Sequence, residues 1–417
     1  MPNVLILSLV FPPDSVSTAE IMGDLAQDLQ ALGHSVTVVT TMPHYNPDRE
    51  AARRQPARGV WGPLLRRSTY HGMAVYHTAM PAKDASVPKR LAAWAGFHLL
   101  STAAALTVVP RPDVLLVPSP PLSIGVSAWI VGALRRAPFI YNVQEIYPDI
   151  AINLGAVRNP TLIALLKRLE RFVYRRAAAI TVIAARMRER LVERHVPPEK
   201  VKVIPNFVDL ERLSPVARDN EFSRTHGLQD AFAVTYAGNI GPAQGLDIVL
   251  DAASLLPAGH PARFVLIGDG ILRERFERAS SDSAGRVRVL PYQPSALMPQ
   301  IYGASDICLV PQAAATGSDA IPSKVYRIMA SARPLIAITD PVSDLAMLVR
   351  AAQCGEVVAP GDAAALSAVV QRAAAQPDEW RRMGERGRQH VIERYTREVV
   401  AGEYDRLIRM LAAMAPQ

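Results

Sequence analysis

The sequence predicts an α/β protein built from two doubly wound halves, and three observations carry that prediction. Short, near-continuous apolar runs alternate with segments of helical period, the pattern of parallel strands covered on both faces. The alternation pauses near residue 195 and restarts beyond residue 206. The chain has 417 residues, 49% of them hydrophobic and 20% charged, enough for two or three domains and too apolar for a disordered or fibrous chain.

Residues 4–10 form the first apolar run and end at Phe11-Pro12-Pro13, so they read as a buried strand. The run is too short for a secretory leader and lacks its basic flank. Ser17 and Glu20 then stand at capping-box spacing, and Ile21, Leu25, Leu29 and Leu32 make a helical stripe that Gly33 ends. Residues 35–40 supply the next strand and complete a β-α-β unit. Further strands are expected at 114–117, 139–143 and 179–183, with helices between them. After Pro197-Pro198 the pattern resumes with strands at 233–236, 263–267, 286–290, 307–310 and 335–338, and with helices from Asp247 and Ser323. The expected division is residues 1–195, residues 196–390, and a terminal helix within 391–417 that packs back across the hinge. Two such halves leave a cleft lined by the carboxyl ends of their strands, where a ligand is expected.

Charge is unevenly shared. The chain has formal charge +8, and residues 1–200 hold 23 Lys and Arg against 14 Asp and Glu, which leaves the remainder slightly acidic. The first half therefore expects an anionic partner: nucleic acid, an acidic membrane surface or a phosphorylated substrate. Arg53-Arg54, Arg58, Arg66-Arg67 and Lys89-Arg90 are its conspicuous clusters, with an ordinary solvated basic surface as the competing reading. Residues 91–109 approach membrane-spanning length, but His98, Ser101, Thr102 and Thr107 dilute them, so no span is expected. The two cysteines, Cys308 and Cys354, have neither the number nor the spacing of a metal or redox site and fit small core residues in a reducing, cytoplasmic compartment.

Three segments carry polar groups where strands end. Gly238-Asn239-Ile240-Gly241-Pro242-Ala243-Gln244-Gly245-Leu246 joins an apolar strand to a helix, and its glycines and the helix start suit a pyrophosphate, although such turns also occur without ligands. It is neither a dinucleotide fingerprint nor a Walker loop. Gly317-Ser318-Asp319-Ala320-Ile321-Pro322-Ser323-Lys324 opens another helix. There Asp319 can accept from sugar hydroxyls and Lys324 can neutralise phosphate; alternatively Ser323 is a plain cap and Lys324 a solvated first-turn cation. A lysine in a first turn opposes the helix dipole, which favours the functional reading. In the first half, Ser119-Pro120-Pro121 and Asn142-Val143-Gln144-Glu145 end two strands, and Glu145 can serve as a base or as a cap. His34 reads as a helix-end residue and His44 as a loop residue.

The sequence resembles the retaining glycosyltransferases of family 4, whose GT-B architecture faces two Rossmann-like domains across a cleft. The resemblance rests on Phe11-Pro12-Pro13, Leu32-Gly33-His34-Ser35-Val36, Ile204-Pro205-Asn206-Phe207-Val208-Asp209, Tyr236-Ala237-Gly238-Asn239, Ile267-Gly268-Asp269-Gly270 and Met329-Ala330-Ser331-Ala332-Arg333-Pro334, in the family's order. Ser119-Pro120-Pro121, Glu145-Ile146-Tyr147-Pro148, Gly245-Leu246 and Pro322-Ser323-Lys324 look like the surface-polysaccharide subgroup that includes fucosamine and fucosyl transferases. The resemblance implies a hexosyl- or N-acetylhexosaminyl-transferase for capsule or O-antigen synthesis. It would use a nucleotide-diphosphate-sugar donor, UDP-linked, with no cofactor, no metal and no nucleic acid. Its acceptor would be a saccharide, or a polyprenyl-pyrophosphate-linked one, which explains a basic first half held at the inner face of the plasma membrane.

The same resemblance assigns residues. Gly238, Asn239, Gly241, Gln244 and Lys324 would hold the pyrophosphate, with Asp269, Ser318, Ile321, Pro322 and Ser323 around the donor. Asp319 would contact the donor sugar, and Tyr292 and Pro294 would lie near the base. Pro13, Ser15, Ser119 and Asn142 would face the acceptor, and Glu145 would organise its hydroxyl. Asp319 and Arg327 stand where the family carries two glutamates eight positions apart, so a cation replaces a ribose-binding carboxylate. A nucleotide-sugar epimerase of the same architecture, and a non-catalytic basic membrane or nucleic-acid binding protein, are the competing readings.

Overall fold

The computed structural model describes residues 1–14, 16–44, 53–81, 87–153, 155–281, 283–313 and 321–414, and for residues 87–91 the backbone alone. The chain divides into two compact units, Met1–Asn206 with Arg397–Gln417, and Phe207–Thr396.

In the first unit, β1 (Asn3–Leu7), α1 (Ser17–Ala31) and β2 (Ser35–Thr41) form the expected β-α-β unit, with β1 and β2 parallel. Val16 occupies the N-cap position of α1 and no side chain caps the helix, so the Ser17 and Glu20 spacing does not form a capping box. The chain continues through β3 (Arg58–Gly59), β4 (Leu65–Tyr70), β5 (Met73–Thr78) and α2 (Val87–Thr107). Then follow β6 (Val114–Ser119), α3 (Ile124–Arg135), β7 (Phe139–Val143), α4 (Asp149–Asn153) and α5 (Pro160–Arg176). The last elements of this stretch are β8 (Ala179–Val182), α6 (Ala185–Glu193) and β9 (Val201–Val203).

Among the described residues the sheet runs β3-β4-β5-β2-β1-β6-β7-β8-β9. The antiparallel β4–β5 hairpin was not foreseen, because β4 exposes Arg66 and Arg67 and reads as a basic cluster rather than a strand. His71 and Gly72 close it with positive φ at both positions, the geometry a two-residue hairpin turn requires. From β5 onward each crossover steps the same way along the sheet, to β6, β7 and β8. Right-handed connections therefore place α2, α3 and α5 on one face and α1 on the other.

The second unit holds α7 (Glu221–Thr225), β10 (Phe232–Ala237), α8 (Asp247–Ser254), β11 (Ala262–Ile267), α9 (Arg273–Ser281), β12 (Val287–Leu290) and α10 (Met298–Gly303). It continues with β13 (Ile307–Pro311), α11 (Lys324–Ala330), β14 (Leu335–Ile338), α12 (Asp344–Ala352), β15 (Gly355–Val358), α13 (Ala363–Ala375) and α14 (Pro377–Arg394). Its parallel sheet has the order β12-β11-β10-β13-β14-β15. Val234, Tyr236, Phe264, Leu266, Leu309 and Ile336 form the centre of its core. The strand order reverses between β10 and β13, so the crevice at their carboxyl ends is the topological switch point where an open α/β sheet takes its ligand.

The boundary falls at Asn206 rather than at residue 195, because β9 pairs in parallel with β8 and extends the first sheet. The stretch read as one terminal helix is two: α14 stops at Arg394, and α15 (Arg397–Met414) returns to the first unit. There Arg397 pairs with Asp24 and Asp28 of α1, and His34 Nε2 lies 2.6 Å from Asp405. Cys308 and Cys354 are free and buried, and burial pushes both thiols up to about 12.

Candidate functional site

The switch point of the second unit is built from backbone. After β10 the chain turns at Gly238, whose φ is +152°, and its amide donates to Ile267 O at 2.9 Å. The turn after β11 passes so close that a Cβ on Gly268 would lie 1.8 Å from Gly238 O, a distance no side chain tolerates. The Ile240 amide donates to Asp269 O at 2.7 Å, which locks the two turns together. Farther along, the Ala313 amide donates to Ala243 O at 2.9 Å, bringing the segment after β13 against the glycine loop.

Lys324 fills the space that Gly238 leaves: a Cβ on Gly238 would meet its Nζ at 2.5 Å. The ammonium sits 4.1 Å from the centroid of the Tyr236 ring and donates to Ala237 O at 3.1 Å. Removal from water pulls its pKa down to about 8. Tyr236 is itself buried and donates to Asn239 O at 2.6 Å, so one side chain supports both the cation and the loop. Ser323 precedes α11 but makes no side-chain cap bond, and Lys324 packs inward. The plain-cap and solvated-cation readings both fail on this geometry. An ammonium held against the glycine loop, with an aromatic face beside it, is suited to receive a phosphate oxygen.

The remaining donor-side candidates divide. Asn239 is exposed at the loop, its amide 3.4 Å from Gln244 Oε1, and Gly241 lies buried between them. Ile321 is buried and Pro322 half-buried, leading directly into Lys324. Asp269 is exposed, and its carboxylate accepts from the Gly270 amide at 2.8 Å, a turn bond in the structure described. Tyr292 and Pro294 are exposed beyond β12, two strands from β10. Arg327 stands one turn after Lys324 on α11, close enough to the buried Tyr302 to act on it electrostatically. Asp319 and Ser318, and Ser15 in the first unit, lie outside the described residues.

In the first unit the acceptor-side candidates are not brought to one surface. Asn142 is fully buried; its amide donates to Thr181 Oγ1 at 3.0 Å and Tyr404 OH at 2.9 Å, and its carbonyl oxygen accepts from Gln144 at 2.7 Å. Its polar groups are spent inside the protein. Ser119 is likewise buried and hydrogen-bonded to Tyr141. Pro13 is half-buried next to Asp14. Glu145 is half-buried at the end of β7, and desolvation raises its pKa above the ordinary carboxylate value. His44 is a loop residue, as expected, but its contact with Asp14 was not foreseen. The His44 amide donates to the Asp14 carboxylate at 3.2 Å, and His44 Nδ1 lies 2.9 Å from Thr41 Oγ1. Their one sequence signal was position, just past the ends of β1 and β2. Among the described residues no group of three or more His, Cys, Asp or Glu is placed to hold a metal.

Comparison with known families decides what this site belongs to. A model described as "Glycosyl transferase 4-like domain" matches residues 18–206, and one described as "Glycosyl transferases group 1" matches residues 231–376. The chain is a GT-B glycosyltransferase. Among its relatives, the glycosyltransferase is 24% identical over 356 residues to the "Putative colanic acid biosynthesis glycosyl transferase WcaI" of Escherichia coli, covering 83% of this chain and 85% of the relative. It is 26% identical over 231 residues to the "Probable glycosyltransferase WbjE" of Pseudomonas aeruginosa, covering 55% of this chain and 58% of the relative. In fold it is similar to Anabaena HepE solved in complex with UDP, at TM-score 0.73 and 14% identity, covering 98% of this chain and 100% of the other. HepE has also been solved in complex with UDP-glucose. The GT-B architecture expected from the sequence is the one observed.

Proposed function

We propose that this glycosyltransferase moves a sugar, with retention of configuration and without a metal, from a UDP-linked donor to a hydroxyl of a saccharide or polyprenyl-pyrophosphate-linked acceptor in surface-polysaccharide assembly. One observation carries the reading: a desolvated ammonium, Lys324, seated against a glycine loop at the switch point of the second unit. The donor class is supported by HepE, whose structures hold UDP and UDP-glucose, and the pathway class by the Escherichia coli relative.

As the bond from the sugar to the nucleoside diphosphate breaks, negative charge gathers on the leaving pyrophosphate and positive charge on the sugar ring. A preorganised cation in a dry site stabilises the leaving group more than it stabilises the intact donor. Lys324 supplies it in this proposal, with Asn239 and Gly241 offering loop donors and Gly238, whose amide is spent on Ile267 O, making room for Lys324; Asp319 is reserved for the donor sugar and Arg327 for phosphate. Glu145, whose pKa burial raises, is the group assigned to the acceptor hydroxyl, because a carboxylate with a raised pKa is the better proton acceptor. The basic first unit is assigned to acidic lipid at the inner face of the plasma membrane.

A thermal-shift panel of nucleotide sugars tests the donor. A UDP-sugar at a hundred times its dissociation constant should stabilise the chain by about 3 kcal/mol, and its transfer should survive EDTA. Absence of any shift from every nucleoside diphosphate would falsify the reading.

A further inference from the structure

Tyr236 is a tyrosine where packing asks only for an aromatic ring. It stands near the end of β10, fully buried in the core of the second unit with Val234, Leu266 and Leu309. Phenylalanine fills such a place equally well, and a buried hydroxyl is costly unless it is bonded. The Tyr236 hydroxyl finds its partner outside the core: it donates to Asn239 O at 2.6 Å, across the turn that begins the glycine loop. The face of its ring is taken as well, by the Lys324 ammonium at 4.1 Å from the centroid.

Gly238 lets these groups meet. A Cβ there would lie 2.5 Å from Lys324 Nζ and 3.0 Å from the Tyr236 hydroxyl, so ring, ammonium and loop share a space that any side chain would fill. One proton of the ammonium goes to Ala237 O at 3.1 Å and the ring covers another side, so β10 fixes where the charge sits.

We propose that Tyr236 is a positioning residue for sugar transfer: its ring holds the Lys324 ammonium where the leaving pyrophosphate needs it, and its hydroxyl fixes the loop at Asn239 in the shape the donor meets. The inference rests on the donor site assigned above to the switch point of the second unit. The two roles belong to different atoms of one side chain, so substitution separates them.

The ring acts on the charged form of Lys324. An aromatic face favours the ammonium over the neutral amine, and so opposes the burial that pulls this lysine down to about 8. Among the described residues, the other charged and titratable groups on the surrounding elements are Tyr302 of α10 and Cys308 of β13, the Arg327 guanidinium one turn along α11, and the exposed Asp269 carboxylate after β11. Burial raises Tyr302 and Tyr236 and pushes Cys308 up to about 12, so none of these three shares the range near pH 8.

Three variants of the full chain test the proposal, read by kcat and KM for transfer from a UDP-sugar across pH 6 to 10 and by NMR titration of the Lys324 side chain. Tyr236→Phe keeps the ring and loses the hydroxyl: donor KM should rise about fivefold to tenfold, kcat should change little, and the lysine should titrate as in the parent. The same phenylalanine with three ring fluorines keeps the shape but weakens the ring face, and should lower the lysine titration by about half to one pH unit. Tyr236→Leu removes the ring. It should lower kcat about tenfold in the parent and not at all in a Lys324→Met background, because a residue that acts through the lysine then has nothing to act on.

Melting temperatures check folding, and the fluorinated ring carries the test if the leucine variant does not fold. The ring role falls if fluorination leaves the lysine titration unmoved or raises it, or if Tyr236→Leu costs as much kcat with Lys324→Met as without it. An unchanged KM in Tyr236→Phe overturns the loop role. A UDP-sugar thermal shift retained through these failures leaves the donor-site reading standing; its absence in the parent overturns that reading, while the lysine titration still judges the ring.

Discussion

Both units end central strands in polar groups, and they satisfy them in opposite ways. In the first, Asn142, Gln144, Thr181, Tyr404 and Asn206 close on one another in a buried network, from Asn206 through Gln144 at 2.9 Å to Asn142, and on to Thr181 and Tyr404. It ties the strands to α15 and to Asn206, where the chain leaves the unit, and asks nothing of a ligand. In the second, Lys324 finds a carbonyl oxygen and a ring face, and desolvation lowers its pKa. A closed network is scaffold, whereas a largely desolvated charge with no counter-charge among the described residues is an energetic cost that an anionic ligand relieves.

The contrast is most easily broken at Lys324. Replacing it with Met should cut kcat/KM for transfer by about 10²–10³, the usual cost of losing a preorganised charge. The same change should stabilise the ligand-free protein. A lysine whose folded pKa is lowered from 10.5 to about 8 destabilises fully below pH 8, and the penalty is relieved as pH rises toward 10.5. The ceiling on that gain near neutral pH is about 3 kcal/mol, seen as a higher Tm. Turnover retained together with a lower Tm would make Lys324 a structural residue.

Tyr404→Phe probes the other side. It removes the acceptor of the Asn142 amide inside the protein and should cost about 1–3 kcal/mol of stability, while the thermal shift produced by a UDP-sugar stays unchanged. A weakened donor shift would show that the network serves the site directly.

The smallest effect is on pH dependence. The free protein loses the Lys324 charge as pH rises through about 8, so donor affinity should be level below that value and decline by at most about tenfold per unit above it. Lys324→Arg, which stays charged, should flatten the decline, as measured by donor KM across pH 7 to 10. A decline that persists in the arginine variant belongs to another group.

The parallel strands were legible because each is buried on both faces, so that apolar runs such as Val4-Leu5-Ile6-Leu7 and Phe264-Val265-Leu266-Ile267 announce themselves. The hairpin β4–β5 was not, because a strand next to the sheet edge with exposed Arg66 and Arg67 lacks that signal. Lys324 was legible as a cation out of place in a first turn. Tyr236 was not, since a buried aromatic in a strand looks like core whether or not a lysine lies over it. Asn142 misled for a related reason: position at a strand end says that a ligand is near, but not which way the side chain turns.

Sequence alone determined the local facts: that the continuous apolar runs are strands, where glycines allow backbones to touch, and how charge divides between the halves. Those follow from chemistry spaced a few residues apart. Only the tertiary structure decided which polar groups are closed and which are open, because Asn142 and Tyr404, or Lys324 and Tyr236, meet across long stretches of chain.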